Sequence, residues 1–164
     1  MLKDIALDEI RETPFELIGN RWMLITASSK TVNPMTASWG GFGIIWNRNV
    51  VIVTIRPTRY TYELIEKTNK FSLTFFDEDY RGILNYCGTK SGRKVDKIKE
   101  TGLTPLKEDD YIYYDEATYA IFCNKLYFSD IDPNNFIEKD IDSLYPKKDY
   151  HRMYLGEIVK VKGK

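Results

Sequence analysis

The run Val50-Val-Ile-Val-Thr-Ile55 constrains the fold more than any other stretch of the chain. Every residue in it is β-branched, and such a run without polar alternation is the pattern of a strand buried on both faces. A strand of that kind needs neighbours, and the segments around it limit how those neighbours connect. Pro57 ends the run. Tyr60, Leu64 and Ile65 then recur at helical spacing, so Tyr60–Thr68 reads as a short helix with Thr58 or Thr61 as N-cap. Phe71-Ser-Leu-Thr-Phe-Phe76 returns to strand, and Asp79–Tyr86 reads as a helix ended by Gly88 as a left-handed cap. Val95 and Ile98 share a face of another short helix, closed by Gly102.

Upstream, Trp22–Ala27 and Met35–Trp39 flank the turn-rich cluster Ser28–Pro34 and read as a hairpin-like pair. Downstream, Tyr111–Tyr114, Ala117–Leu126 and Met153–Val161 are further strands, with the irregular segment Asp130–Tyr150 before the last. That segment reads either as a cover over a site or as a surface excursion. Parallel strands need crossovers of about a dozen or more residues, usually helical. The strands here do not alternate with long helices. The expected fold is therefore mostly β with short helices, an antiparallel barrel with helices at its rim. No internal repeat and no Gly/Ser or Pro-rich linker divides the sequence, so residues 1–164 read as a single domain.

Composition narrows the function. Lys+Arg and Asp+Glu are each 24, and this balance disfavours a nucleic-acid partner, which calls for excess cations. The two cysteines, Cys87 and Cys123, form no CxxC and have no further ligands at zinc spacing, so a metal site is not expected. The first ten residues mix acids with apolar residues, unlike a signal peptide, and no run approaches the roughly 20 apolar residues of a membrane span. With no Asn-x-Ser/Thr acceptor either, a cytoplasmic location away from any membrane is expected.

Three constellations can carry chemistry. In Asn33-Pro-Met-Thr-Ala-Ser-Trp-Gly-Gly-Phe-Gly43, small hydroxyl residues precede glycines that allow close backbone approach, and Thr36 and Ser38 can donate to phosphate oxygens. The same residues also suit a plain strand ending in a Gly-rich bulge. They match neither the P-loop nor the dinucleotide-binding fingerprint. In Arg56-Pro-Thr-Arg-Tyr-Thr-Tyr62, guanidinium groups stand where a strand runs into a helix, a suitable anion site or simply two solvated arginines. Asn85-Tyr-Cys-Gly-Thr-Lys-Ser-Gly-Arg-Lys-Val-Asp-Lys97 mixes glycines, hydroxyls and cations and can wrap an anionic tail. Cys87 reads more readily as a packed thiol than as a redox group, and His151 as a structural histidine that could also touch ligand or a partner subunit.

Four stretches in order, Met35-Thr-Ala-Ser-Trp-Gly-Gly41, Arg56–Glu63, Asn85–Lys97 and Tyr150-His-Arg-Met-Tyr-Leu-Gly-Glu-Ile158, resemble the flavin reductase-like, FMN-binding split-barrel family over nearly the whole chain. The resemblance implies a Greek-key split β-barrel that forms a homodimer with FMN near the subunit interface. It implies a cofactor-binding set of Thr36, Ala37, Ser38, Trp39, Arg56, Tyr60, Thr61, Cys87, Gly88, Ser91, Gly92 and Lys94, with Arg59 and Lys90 as further cations for the phosphate. The implied activity is that of an oxidoreductase passing electrons from NADH or NADPH through FMN to free flavin or another acceptor. A flavoredoxin-like electron carrier reduced by a redox partner protein is the alternative. No side chain is assigned as acid or base, since the redox chemistry belongs to the cofactor.

Overall fold

The computed structural model describes residues 1–164. Its strands are β1 (Lys3–Ile5), β2 (Met23–Ala27), β3 (Met35–Ala37), β4 (Gly40–Ile45), β5 (Arg48–Ile55), β6 (Lys70–Phe75), β7 (Pro105–Glu108), β8 (Tyr111–Tyr114), β9 (Tyr119–Asp130) and β10 (Arg152–Gly163). Its α-helices are α1 (Tyr60–Glu66), α2 (Arg81–Thr89) and α3 (Lys97–Thr101). All strand pairings are antiparallel. One sheet runs β3-β2-β6-β9-β10-β5-β4, with β1 added beside β10, and β7 and β8 form a separate hairpin.

The two ends of that order explain the shape. β3 and β4 stand at opposite edges of the sheet, yet only Ser38 and Trp39 join them. Consecutive Cα atoms are about 3.8 Å apart, so Ala37 and Gly40 lie within roughly 11 Å of each other. The sheet must curl until its edges nearly meet. The result is a mostly β, antiparallel split barrel whose opening lies between β3 and β4, as the sequence led us to expect.

Side chains pack on both faces of this curled sheet. Met23, Ile25 and Ala27 of β2 enter the larger core with Val51, Val53 and Ile55 of β5, Phe71, Leu73 and Phe75 of β6, and Leu64 and Ile65 of α1. Leu24 points the other way, into a second core where Leu84 and Cys87 of α2 and the β8 tyrosines pack against Ala120 and Phe122. The β5 run is fully buried on one face only. Ile52 and Thr54 are half-buried, because β5 lies next to the edge strand β4.

Several local expectations are corrected. Gly40–Ile45, where the sequence suited a Gly-rich bulge at the end of a strand, is a strand of its own, and it turns into β5 through Trp46 and Asn47 at φ 53° and 57°, the positive-φ pair of a tight hairpin. Gly40 itself has φ 144°, and any Cβ there would strike the carbonyl oxygen of Ile52. Helix α1 begins after Arg59 with no side-chain cap. Thr58 instead donates to Asp149 Oδ2 at 3.3 Å. Gly88 is not a left-handed cap but a helical residue of α2, and a Cβ there would come within 3.2 Å of Thr36 Cβ. The glycine lets α2 approach β3. Gly102, with φ 72°, ends α3 as expected, and Asp96 caps its start. No helix is long and apolar enough to cross a membrane.

Candidate functional site

The site lies at the opening of the barrel, and the topology explains why distant residues meet there. The Ser38–Trp39 link crosses the split. Thr54 and Arg56 come from the end of β5, and His151 immediately precedes β10, whose Arg152 is the register partner of Ile55. The start of α1 brings Arg59, and the close approach of α2 to β3 brings Gly88. Together with Met35, Thr36 and Ala37 these residues line a cavity of about 250 Å³. A second cavity of about 170 Å³ lies beside it, lined by Asn33, Thr58, Tyr60, Thr61, Thr89, Lys90, Ser91, Gly92 and Lys97, and shares Met35 and Arg59 with the first. Neither reaches the size of an ordinary small-molecule site, about 300–1,000 Å³, but the two as one groove do.

The charges on this groove are of one sign. Arg56 and Arg59 line the first cavity, and Arg59, Lys90 and Lys97 line the second, while no carboxylate lines either. The chain as a whole has equal numbers of acids and bases, so this lining departs from the overall balance. Arg59 Nη2 donates to the Gly88 carbonyl at 2.7 Å, and burial, reinforced by Arg56, depresses its pKa. Lys97 is only 4% exposed, and its Nζ donates to the carbonyls of Pro34 and Cys87, both at 2.8 Å. Burial pushes its pKa down to about 8; Cys87 opposes the shift and Arg59 adds to it. A buried ammonium held only by neutral carbonyls is costly unless an anion arrives to compensate it.

The polar atoms on the walls are unevenly committed. The Thr36 hydroxyl already donates to the Leu84 carbonyl at 2.5 Å, so its proton is not free for a phosphate as its sequence position suggested. Thr61 Oγ1 accepts from Asn33 Nδ2 at 2.9 Å and keeps its own proton to give. Thr54 Oγ1 is buried on the wall of the first cavity with no hydrogen-bond partner. Such a group costs about 1–3 kcal/mol until something bonds to it. An orphaned hydroxyl, a buried cation and an acid-free lining fit a polar, anionic ligand such as a flavin mononucleotide.

At the mouth of the first cavity, Trp39 is 46% exposed and its ring centroid lies 5.1 Å from that of His151. Tyr145 Oη and His151 Nδ1 are 2.8 Å apart. Burial, with repulsion from Arg56, pushes the His151 pKa down to about 4, so the ring is neutral near pH 7. The irregular segment between β9 and β10 is tied down here. Arg56 Nη1 pairs with Asp149 at 2.8 Å, its Nη2 donates to the Leu144 carbonyl at 3.0 Å, and the guanidinium lies 4.6 Å from the Tyr145 ring centroid. Phe136 and Tyr150 pack around Tyr145. The segment is anchored beside the first cavity through Arg56, but none of residues 131–150 lines either cavity, so it is a tethered surface excursion rather than a cover.

Of the residues singled out by sequence, Thr36, Ala37, Ser38, Trp39, Arg56 and Gly88 line the first cavity, and Tyr60, Thr61, Ser91 and Gly92 the second. Cys87 and Lys94 line neither. The Cys87 thiol is fully buried in the second core, and burial pushes its pKa up to about 11, with Lys97 opposing the shift. Lys94 is exposed on a third cavity. Thr54, Asn33 and Lys97 are lining residues that sequence reasoning did not assign. The only hint was that Asn33 and Lys97 bound the stretches singled out there.

The profile described as Flavin reductase like domain matches residues 16–164. No curated protein matches the chain. Among solved structures, the chain is similar to the flavoredoxin of Desulfovibrio vulgaris (Miyazaki F), with TM-score 0.69 and 24% identity over 87% of this chain and 69% of that one. It is also similar to an FMN-binding domain of a flavin reductases-like enzyme from Shewanella baltica, with TM-score 0.72 and 16% identity over 99% and 77% of the two chains. An NADH:FAD oxidoreductase of Streptomyces globisporus aligns with TM-score 0.68 and 10% identity over 87% and 75%. At these identities the likeness is one of fold.

Proposed function

Because the chain belongs to the flavin reductase-like domain family, we propose that it binds FMN in the joined cavities and works as an oxidoreductase. The observation that carries this reading is the acid-free groove, with cations and free hydroxyl protons at one end and an exposed indole at the other. In this reading Arg59, Lys97, Thr61 and Ser91 hold the phosphate in the second cavity. Trp39, Thr54 and the Thr36–Ser38 backbone hold the ring in the first. When bound, FMN supplies the redox chemistry, taking electrons from NADH or NADPH and passing them to free flavin or another acceptor. The protein's part is to orient the ring and to keep one of its faces accessible beside Trp39. His151, neutral and fixed by Tyr145, offers a hydrogen bond without adding charge. The working unit in this reading is a homodimer.

Two measurements separate the layers of the proposal. Purified protein is expected to carry, or take up, FMN with a rise in melting temperature; no rise at saturating FMN overturns the binding assignment. Anaerobic mixing of the FMN-loaded protein with NADH and with NADPH is expected to bleach the flavin band with at least one of them. Bleaching by neither removes the nicotinamide step and leaves an electron carrier reduced by a protein partner.

A further inference from the structure

A separate cavity, of about 350 Å³, lies at the end of β2 away from the Ser38–Trp39 link and shares no lining residue with the groove or with the third cavity. Its walls are the chain that follows β2, the start of β6 and the β7–β8 hairpin, and none of its lining residues is hydrophobic. We propose that this cavity is a second anion site, which takes a tetrahedral oxyanion of the phosphate type, free or as the phosphoryl group of a small metabolite. The inference goes beyond the flavin reading and does not depend on it.

The charges on the lining are the first observation. Three lysines, Lys30, Lys70 and Lys107, meet a single acid, Asp110. Asp110 lies 2.9 Å from Lys107 and 4.0 Å from Lys70, which leaves Lys30 without a carboxylate. The neighbouring acid does not make up the balance. Asp109 and Asp110, at φ 48° and 72°, form the two-residue turn between β7 and β8, and the Asp109 carboxylate lies 3.5 Å from Lys160 instead. What Asp109 gives Lys70 is its carbonyl, which accepts from Nζ at 2.9 Å, and the same ammonium lies 5.1 Å from the centroid of the Tyr111 ring. Lys70 is thus held in place chiefly by neutral groups, with its charge largely uncompensated.

The hydroxyls are the second observation. Ser28 N–H donates to the Lys70 carbonyl at 2.9 Å, which joins the end of β2 to the start of β6, yet Ser28 Oγ is buried with no hydrogen-bond partner. Thr68 Oγ1 accepts from the Lys70 backbone N–H at 3.1 Å and keeps its own proton to give. Ser29 is the exception, because its hydroxyl donates to the Thr31 carbonyl at 2.6 Å. Buried polar groups are normally paired, so an orphaned hydroxyl beside uncompensated cations marks a place for an acceptor. A phosphate oxyanion accepts from ammonium and hydroxyl alike, and charge-assisted bonds of this kind are the strong ones. A neutral ligand satisfies Ser28 but not the lysines.

Calorimetric titration of the FMN-saturated protein with inorganic phosphate and with glycerol 3-phosphate, at an ionic strength held constant with chloride, tests the site while the groove is occupied. Saturable binding of at least one probe is expected, and the tighter of the two tells whether free phosphate or a phosphate ester is the ligand. Ser28→Ala is expected to weaken that binding about tenfold, the effect of losing a hydrogen bond to a charged group. Its melting temperature without phosphate should not fall, because the substitution removes an unsatisfied hydroxyl. Lys70→Ala is expected to weaken binding at least as much, which keeps the test alive if Ser28→Ala packs poorly. No saturable binding of either probe overturns the site, and so does binding that both substitutions leave unchanged. If the protein takes up no FMN, the same titration of the flavin-free protein still decides, since only an anion held in this cavity responds to both substitutions.

Discussion

Lys97 concentrates the chemistry of the groove in one side chain. Its ammonium is buried, donates to two carbonyls and lines the second cavity. With a folded pKa of about 8 against 10.5 for a free lysine, the unfolded chain binds more protons between those values. Stability of the flavin-free protein should therefore rise as pH climbs through that window, and Lys97→Met should abolish this rise. Ligand binding has the opposite sign. A phosphate dianion beside Lys97 restores its proton, so binding takes up a proton above about pH 8 and FMN affinity falls as pH rises further. We expect Lys97→Met to bind FMN more weakly by about 1.5–3 kcal/mol at pH 7.5, the range for a charged hydrogen bond, and with a flat profile from pH 8 to 10. Fluorescence titration across that range checks both parts; parallel profiles for the two proteins would remove Lys97 from the phosphate site. This residue was not legible as a ligand in the sequence. A lysine one position after an aspartate reads as a solvated helix start, and only the docking of α3 beside Pro34 and Cys87 buries it. Thr36 shows the reverse error, since its hydroxyl looked free until α2 supplied the Leu84 carbonyl.

Arg56 belongs to the scale of elements, because its partners lie on the irregular segment between β9 and β10. Sequence placed it in the phosphate cradle. It does line the first cavity, but its guanidinium is already engaged by Asp149, the Leu144 carbonyl and the face of Tyr145. Its removal should therefore act in two ways. Arg56→Ala is expected to raise amide hydrogen exchange across residues 136–150 and, because the guanidinium is already engaged, to weaken FMN binding by less than Lys97→Met does. Asp149→Asn should raise exchange in the same residues with a smaller effect on FMN, since the cationic wall remains. Unchanged exchange in both variants would show that the aromatic cluster around Tyr145 holds the segment alone. The elements themselves were unequally legible. β5 and β6 announce themselves through branched and aromatic residues, and α3 through its Gly102 stop. β4 did not, because Gly40, Gly41 and Gly43 carry no side chains to alternate, and its identity as a strand comes from pairing with β5. Gly88 looked like a helix end, but its lack of a side chain serves the contact with Thr36 inside a continuing helix.

At the scale of the whole molecule, the antiparallel class follows from the absence of long crossovers, whereas the split follows from something no local pattern contains: two edge strands joined by two residues. The curl that brings β3 to β4 also leaves an apolar surface outside the barrel. Ile44 is 68% exposed on β4, Trp46 is 58% exposed in the turn after it, and Tyr127 on β9 is 52% exposed. Trp46 reaches over β5 and β10 to Tyr127, with ring centroids 6.1 Å apart and nearly edge to face. Side chains of this kind form the centres of protein interfaces, and a stable dimer buries about 800 Å² per partner around such a centre. The proposed homodimer therefore predicts a definite outcome. Sedimentation velocity at micromolar concentration should give a mass near twice that of one 19.2 kDa chain. Trp46→Glu, which alters an exposed turn and no core contact, should shift the population to monomer with its melting profile still cooperative. A wild-type protein that sediments as a monomer would overturn the homodimer. A Trp46→Glu variant that stays dimeric would move the interface away from the β4–β5 turn, towards the split itself, where Trp39 stands exposed at the mouth of the groove.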